Sequence, residues 1–222
     1  MKLITTVFLM SFLAIPAFSQ ISINGVYTLN GKTTEIEKKV YSITPKDKAD
    51  IVYFSNGLTA KVQLDADFSV NSFFQDILTT NNYHKAEFGS STLNTTLMNG
   101  KALLSYVGDT NNSSCVVSTP MVDVELYRGL FYIESTEKKV VLAVVEGSLK
   151  CYSGKKETII NTGQALVASP NSVGIFEDKV ELSPGKINTD ATKRFKDESK
   201  DIISTNSILF IRIDGKTLGI TL

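Results

Sequence analysis

The side chains that could do acid–base or metal chemistry are few, and their spacing limits that chemistry. His84 is the only histidine of the chain, and one histidine cannot build a multi-histidine metal site or a zinc site without cysteine ligands. No G-x-S-x-G nucleophile elbow occurs. The acidic pairs Asp65/Asp67 and Asp123/Glu125 have the period-2 spacing of one strand face, which could serve glycoside hydrolysis or calcium binding. We expect these pairs to be solvated, so the sequence predicts no enzyme, no cofactor and no metal site.

The two cysteines, Cys115 and Cys151, leave two alternatives open. Cys115 is in phase with Val117, and Cys151 with Leu149, so both are expected to face inward. In an exported protein they could pair and close a loop of about 35 residues, worth roughly 3–4 kcal/mol. A domain of this size does not require such a bridge, and two buried free thiols are the other alternative.

The overall charge excludes one class of partner. The chain has 222 residues with 23 basic and 23 acidic side chains, so its formal net charge is zero. A protein built to hold nucleic acid or an anionic membrane surface would need a basic surplus. The hydrophobic content of 42% and the charged content of 21% are typical of a folded globular protein. The sequence therefore predicts a folded protein without a nucleic acid partner.

Residues 1–19 have the pattern of a cleaved secretory signal. Lys2 supplies a positive start, an apolar run extends over residues 3–14, and Ala17-Phe18-Ser19 is a small-x-small cleavage signature. An N-terminal membrane anchor is the alternative, but the run is about a dozen residues and a spanning helix needs roughly 20. No later segment approaches that length. We expect an exported protein, periplasmic or extracellular, with no membrane span in the mature chain.

The residues that follow show the periodicity of strands. Leu58–Leu64 and Val122–Leu126 alternate apolar and polar residues, which predicts one buried and one solvated face. Val140–Val145 is continuously apolar, as in a strand covered on both faces. Asn-Gly or Asp-Gly pairs, which favour type I′ hairpin turns, stand at 24–25, 30–31, 56–57, 99–100 and 214–215. This pattern predicts an all-β domain over residues 20–182, with a sandwich, a barrel or a short β-helix as its architecture.

Residues 183–222 break the pattern. Residues 190–204 are rich in Lys, Asp and Glu, and their apolar positions fall on one side of a helix. These positions are Ala191, Phe195, Ile202 and Ile203. Thr189 or Asp190 could cap the first turn. After it, residues 208–220 predict a closing hairpin, so we expect a helix–hairpin appendage docked on the β domain.

The middle of the chain resembles a known family. The order of its motifs is Ser118-Thr119-Pro120, Val122 and Val124, Arg128-Gly129, Val140–Val145 with Glu146-Gly147, and Gly163-Gln164. This order resembles the FecR-type domain family over about residues 118–170. Ser55-Asn56-Gly57 fits the longer form of that family. One position departs from the pattern, because Leu130 stands where the family has a threonine after Arg-Gly.

The resemblance implies an exported all-β module, a sandwich or short β-helix-like domain, without known catalysis. Family members in the inner membrane use a cytosolic region to hold a sigma factor, and we expect this chain to lack that region and that role. The resemblance implies a module that mediates contacts with another protein of the bacterial cell envelope. The alternative is an extracytoplasmic module for a polysaccharide or small ligand, which predicts a concave pocket lined by several tyrosines.

The motif residues are expected to be structural. Glu146-Gly147 and Gly163, followed by Gln164, are predicted at strand-to-strand turns, where glycine relieves steric limits. Thr119-Pro120 is predicted at the start of a strand, where the missing proline N–H is harmless. Arg128 is expected to form a salt bridge that closes a turn, with the binding of an anionic partner group as the alternative.

Overall fold

The structure, a computed structural model, describes residues 19–29, 32–35, 41–79, 86–108, 112–169, 182–203, 208–213 and 216–221. The predicted signal segment lies outside the described residues, except that Ser19 is the first residue of a strand. His84 also lies outside them. Within the described ranges, no helix has the length and apolar character needed to span a bilayer.

Strands dominate the structure and confirm the all-β prediction. The first seven are β1 (Ser19–Asn24), β2 (Val26–Leu29), β3 (Lys32–Glu35), β4 (Tyr41–Ile43), β5 (Asp50–Phe54), β6 (Leu58–Val62) and β7 (Asp67–Thr79). The next seven are β8 (Ala86–Tyr106), β9 (Ser113–Ser118), β10 (Asp123–Thr136), β11 (Lys139–Ser153), β12 (Lys156–Asn161), β13 (Gln164–Ala168) and β14 (Gly185–Lys186). These fourteen strands form one sheet. The helices α1 (Thr189–Glu198) and α2 (Lys200–Ile203) follow, and then the hairpin β15 (Ile208–Ile213) and β16 (Lys216–Thr221).

The single sheet folds over into two halves that share its three longest strands. Layer A contains β2, β3, β5, β6, β13 and β14 with residues 100–106, 129–136 and 139–147 of β8, β10 and β11. Layer B contains β1, β4, β7, β9 and β12 with the other ends of the same three strands. Apart from β8–β9, the described pairings are antiparallel. This arrangement favours the sandwich over the β-helix, because a β-helix stacks parallel strands.

Glycines allow the long strands to bend between the layers. Gly100 has φ +96° within β8, at the place where that strand leaves β7 and joins β6 and β10. The predicted hairpin turn at 99–100 is therefore wrong, because this Asn-Gly pair bends a continuous strand. Gly57 has φ +87° in the turn between β5 and β6, and its N–H donates to the Phe54 carbonyl at 3.0 Å, as the Asn-Gly pair there predicted. Asn24-Gly25 joins β1 to β2, which do not pair with each other, so that turn prediction is also wrong.

The hydrophobic core lies between the two layers. Inward residues of both layers form one buried cluster, which includes Leu142 and Phe131 from layer A and Leu149 and Leu93 from layer B. The alternation predicted for Leu58–Leu64 is confirmed over β6, whose residues are in turn buried and half-buried. Each Å² of apolar surface that the two layers remove from water stabilises the fold by about 25 cal/mol. This burial holds the two layers together.

The centre of the outer face of layer A is also buried, because the two helices cover it. A second cluster joins the outward residues of layer A to the helices: Leu103, Leu130, Tyr132, Ala143, Val145, Phe195 and Ile202. The ring of Phe195 stacks on that of Tyr132 with 4.3 Å between centroids. Val140–Val145 is therefore covered on both faces, as its continuous apolar run predicts.

The predicted single C-terminal helix is two short helices. Ser199 interrupts it with backbone angles φ −95° and ψ −1°, and its hydroxyl donates to the Lys196 carbonyl at 3.0 Å. Serine competes in this way with the hydrogen bonds of a helix interior. The N-cap is Asn188, whose Oδ1 accepts from the N–H of Asp190 at 2.9 Å, so the predicted caps Thr189 and Asp190 are one or two residues late. The predicted closing hairpin is present as β15 and β16.

Candidate interaction surface

Two of the motif pairs form the bend between the layers. Gly129 of β10 lies opposite Gly147 of β11 in the sheet register. A Cβ on Gly147 would overlap the carbonyl oxygen of Arg128, and a Cβ on Gly129 would overlap that of Glu146. Gly147 also has φ +85°, which L side chains rarely adopt. The predicted turn at Glu146-Gly147 is therefore wrong, since the pair lies inside β11 and lets two backbones approach where the sheet bends.

The third motif pair supports the same bend. Gly163, with φ +76°, lies in the turn between β12 and β13, as predicted. Its N–H donates to the carbonyl of Val144 at 2.8 Å, and the N–H and hydroxyl of Thr162 both donate to the Gly147 carbonyl at 3.0 Å. Gln164 accepts from the N–H of Asn161 at 2.8 Å. These hydrogen bonds fix the Glu146-Gly147 segment against the next turn, which is a structural role.

Arg128 and Leu130 lie on either side of Gly129 in β10 and differ in exposure. Arg128 is exposed, and no described residue forms an ion pair with its guanidinium, so the predicted salt bridge is not formed in this part of the chain. Leu130 is buried in the cluster beneath the helices. Leu130 thus contributes an apolar side chain to the surface on which α1 and α2 pack.

Thr119 and Pro120 lie away from the bend, in the turn between β9 and β10. The Thr119 hydroxyl donates to the Val122 carbonyl at 2.7 Å and accepts from the Val122 N–H at 3.1 Å. Pro120 is exposed. The predicted strand start is therefore wrong by three residues, because the threonine side chain closes a turn and the strand begins at Asp123.

Both cysteines are buried and free. Val117 pairs with Val124, and Val124 pairs with Cys151, so β10 lies between the strands that carry Cys115 and Cys151. Two strand spacings are about 9.6 Å, whereas a disulfide needs Cα atoms within about 7 Å. Burial raises the pKa of the Cys115 thiol far above its usual range and that of Cys151 to about 12.

The acidic pairs do not form an enclosed site. Asp65 lies in a turn with φ +57° and Asp67 begins β7, while the Glu125 carboxylate accepts from the Tyr152 hydroxyl at 2.6 Å. The described residues hold no cluster of three or more His, Cys, Asp or Glu side chains suited to a metal ion. An open groove of about 660 Å³ contains no tyrosine among its described lining residues, which are Asp67, Met98, Asn99, Thr136, Glu137 and Lys138. It does not match the tyrosine-lined pocket that the ligand-binding alternative predicts.

The outer face of layer B presents outward residues in register across six of its strands. One row across β12, β11, β10, β9, β8 and β7 consists of Ile159, Lys150, Glu125, Val116, Asn94 and Ser72. The next row on the same strands consists of Glu157, Tyr152, Asp123, Ser118, Thr96 and Ser69. All twelve side chains are half-buried or exposed, so no described element covers this surface, which we call the open face.

Hydrogen bonds between neighbouring strands order the side chains of one half of the open face. The Asn94 amide donates to the Ser72 hydroxyl at 2.9 Å, and the Asn71 amide donates to the Thr96 hydroxyl at 2.7 Å. Side chains that are already held in place lose less freedom when a partner binds. This half therefore presents hydroxyl and amide groups in a preorganised array.

The other half of the open face carries charge and aromatic area. Lys150 forms an ion pair with Glu157 at 2.8 Å, and its ammonium lies 4.9 Å from the ring centroid of Tyr152. The hydrogen bond to Glu157 raises the pKa of Lys150, and the hydrogen bond to Glu125 raises the pKa of Tyr152. With Asp123 included, three carboxylates face one ammonium across the two rows. The surplus of acid favours a partner with basic groups.

Sequence reasoning did not find the open face. Its residues are common surface types, and they come from six strands that span residues 69–159. Only the period-2 alternation of Val122–Leu126 indicated that Asp123 and Glu125 share an outer face. Predicting either row would require the registers of five strand pairs, and no local sequence motif specifies these registers.

Comparisons with known proteins find only a distant likeness. No protein-family model matches the chain, and no curated protein matches it. Two crystal structures described as "a putative anti-sigma factor from Parabacteroides distasonis" are similar to it at 9% sequence identity and a TM-score of 0.38. The similarity covers 91% and 92% of this chain and 98% and 99% of those chains. A likeness this distant identifies no partner or activity for this chain.

Proposed function

We propose that this chain is an exported, non-enzymatic β module that binds another protein of the bacterial cell envelope through the open face. The observation that carries the proposal is the pair of in-register rows, uncovered and ordered by their own hydrogen bonds, on the face opposite the one that α1 and α2 cover. Tyrosine, serine, threonine and asparagine are the side chains with which many protein-binding surfaces combine contact area with adaptable hydrogen bonding.

The size of the open face supports a transient contact. Six strands span about 24 Å, and the two rows together cover about four residues, or about 13 Å, along a strand, so the planar area is roughly 310 Å². Stable complexes bury about 800 Å² on each partner, and weak encounters bury less than about 600 Å². We therefore propose a reversible association, which covalent trapping in the cell would detect better than co-purification.

Export is part of the proposal and rests on the sequence of residues 1–19. Fractionation of the native bacterium should place the protein in the periplasm or outside the cell, and intact mass should show removal of the signal segment. A cytosolic protein of full mass would reject the envelope role.

The partner is tested by photocrosslinking in the native bacterium. A photoreactive phenylalanine analogue replaces Asn94 at the centre of the open face, and a control replaces exposed Lys138 in the turn between β10 and β11, at the layer A end of these strands. We expect one reproducible protein adduct from position 94 and none from position 138. The same adducts from both positions, or none from either, would reject the open face as the contact site.

A pelleting assay with insoluble envelope polysaccharide distinguishes the alternative. Binding of the purified protein to polysaccharide, lost on Tyr152→Ala, without a protein adduct from position 94 would favour the ligand-binding module instead. We expect no such binding.

A further inference from the structure

The outer face of layer A has the properties of a helix-binding surface. Its outward residues are mainly apolar, and one register row crosses six strands with the residues Ala165, Ala143, Tyr132, Leu103, Lys61 and Ile51. The helices α1 and α2 cover this row. Without them, a contiguous apolar surface would face water, and such surfaces mark binding sites in soluble proteins.

Within the described residues, the cover rests mainly on two buried apolar side chains, with Ala191 half-buried beside them. Among the described side chains of α1 and α2, Phe195 and Ile202 are the buried apolar residues, while the rest of α1 is largely charged. The ammonium of Lys61 adds a hydrogen bond to the Glu198 carbonyl at 2.9 Å and an ion pair with Asp201 at 2.7 Å. A helix of ten residues is unstable alone in water, so α1 depends on this docking. We therefore expect its local release to need less free energy than unfolding of the sheet.

The resident helices show what the surface recognises. Tyr132 presents its ring flat to Phe195, with 18° between the two planes. Ile202 lies seven residues after Phe195, and Lys61 reaches Asp201 beside it. The surface thus accommodates an aromatic residue on one short helix and, after the break at Ser199, a branched apolar residue beside a carboxylate on the next.

We infer that the outer face of layer A binds an amphipathic helical segment of another protein with this arrangement, and that α1 and α2 are the resident occupant which that segment displaces. The inference concerns the face opposite the open face and does not rest on the proposed function. Displacement requires no change in the sheet, because the same side chains serve both occupants. The apparent affinity for the external helix is reduced by the fraction of molecules in which α1 and α2 remain docked.

The test uses the full chain and a fluorescent peptide of residues 187–203 as the external helix. In the full chain, Phe195→Ala weakens the resident occupant, and we expect the peptide to bind this variant at least about tenfold more tightly than the wild type. Lys193→Ala alters the exposed side of the same helix and should leave the affinity at the wild-type value. A peptide that itself carries Phe195→Ala should not bind.

Two further measurements separate release of the helices from loss of the fold. Lys61→Met loosens the resident helices without opening a core cavity, so it should increase hydrogen exchange over residues 189–202. It also removes the ammonium that the peptide needs, so the affinity for the peptide should not increase. Far-UV circular dichroism confirms that the sheet of each variant is folded. Failure of the folded Phe195→Ala variant to bind the peptide would overturn the inference. Dimerisation of that variant with mutual exchange of its own helices would reassign the surface to a second copy of the chain.

Discussion

The two outer faces of the folded sheet are built on the same three long strands and have opposite properties. On layer A, the outward residues of β11 are apolar, such as Ala143 and Val145, and helices cover them. On layer B, the outward residues of the same strand are Ser148, Lys150 and Tyr152, and they are half-buried without a cover. The change occurs at Gly147, so one strand has two buried faces before the bend and one buried face after it. A single strand can therefore belong to two structural environments, and the bend sets the boundary.

The largest effect is expected where the two faces meet. Gly147→Ala should destabilise the protein by about 3 kcal/mol or more, because the new Cβ overlaps the Arg128 carbonyl oxygen at a residue with φ +85°. Urea unfolding followed by circular dichroism measures the change. Gly154→Ala is the matched control, since Gly154 has φ +57° but a Cβ added there would meet no atom within 4 Å. It should cost only about 1 kcal/mol. Equal losses would show that backbone angle alone, and not the close approach of β10 and β11, matters at the bend.

Much of the fold could be predicted from the sequence, because burial leaves a periodic signal. The continuous run Val140–Val145 predicted a strand covered on both faces, and the helices provide the second cover. The apolar stripe with Phe195 and Ile202 predicted the docked side of the appendage. These predictions succeeded because each depends on neighbouring residues of one segment.

The bend and the open face could not be predicted in the same way. Glu146-Gly147 and Asn99-Gly100 have the composition of turns, yet both lie inside long strands. Glycine permits a positive φ in a turn and in a bend alike, and the choice depends on which strands pair on either side. The open face depends on the registers of strands far apart in sequence, which no local pattern specifies.

A pair of tyrosines compares the two faces directly. Tyr132 is 5% exposed and stacked on Phe195, whereas Tyr152 lies half-buried on the open face and donates to Glu125. Tyr132→Ala should cost about 3 kcal/mol by removing a buried ring, and Tyr152→Ala about 1 kcal/mol or less. Urea unfolding of both variants checks the order. A larger loss of unfolding free energy for Tyr152→Ala than for Tyr132→Ala would contradict the difference between the covered face and the open face.

The two buried thiols report on the core between the layers. Burial raises their folded pKa, so below the ordinary thiol pKa of about 8.5 both states are protonated and no stability is lost. Above pH 8.5 the thiols ionise in the unfolded protein but stay protonated in the folded one. The free energy of unfolding should therefore fall by about 1.4 kcal/mol for each thiol at pH 9.5. Urea unfolding at pH 7.5 and 9.5, compared with a Cys115→Ala/Cys151→Ala variant, isolates this loss from other titrating groups. Iodoacetamide should label both cysteines only after denaturation. Rapid labelling of the folded protein would contradict the buried positions.

The smallest effects come from one lysine on each outer face. Lys61 is 18% exposed and joins layer A to α2 through Asp201, so Lys61→Met should cost about 1 kcal/mol and increase hydrogen exchange over residues 189–202. Lys150 pairs with Glu157 within layer B, so Lys150→Met should have a smaller effect and leave the exchange of the helices unchanged. Added salt should weaken the effect of Lys150→Met more, because the partner of Lys150 is the more exposed of the two carboxylates. If both variants altered helix exchange equally, the two faces would be coupled through the sheet, and the bend would not separate them energetically.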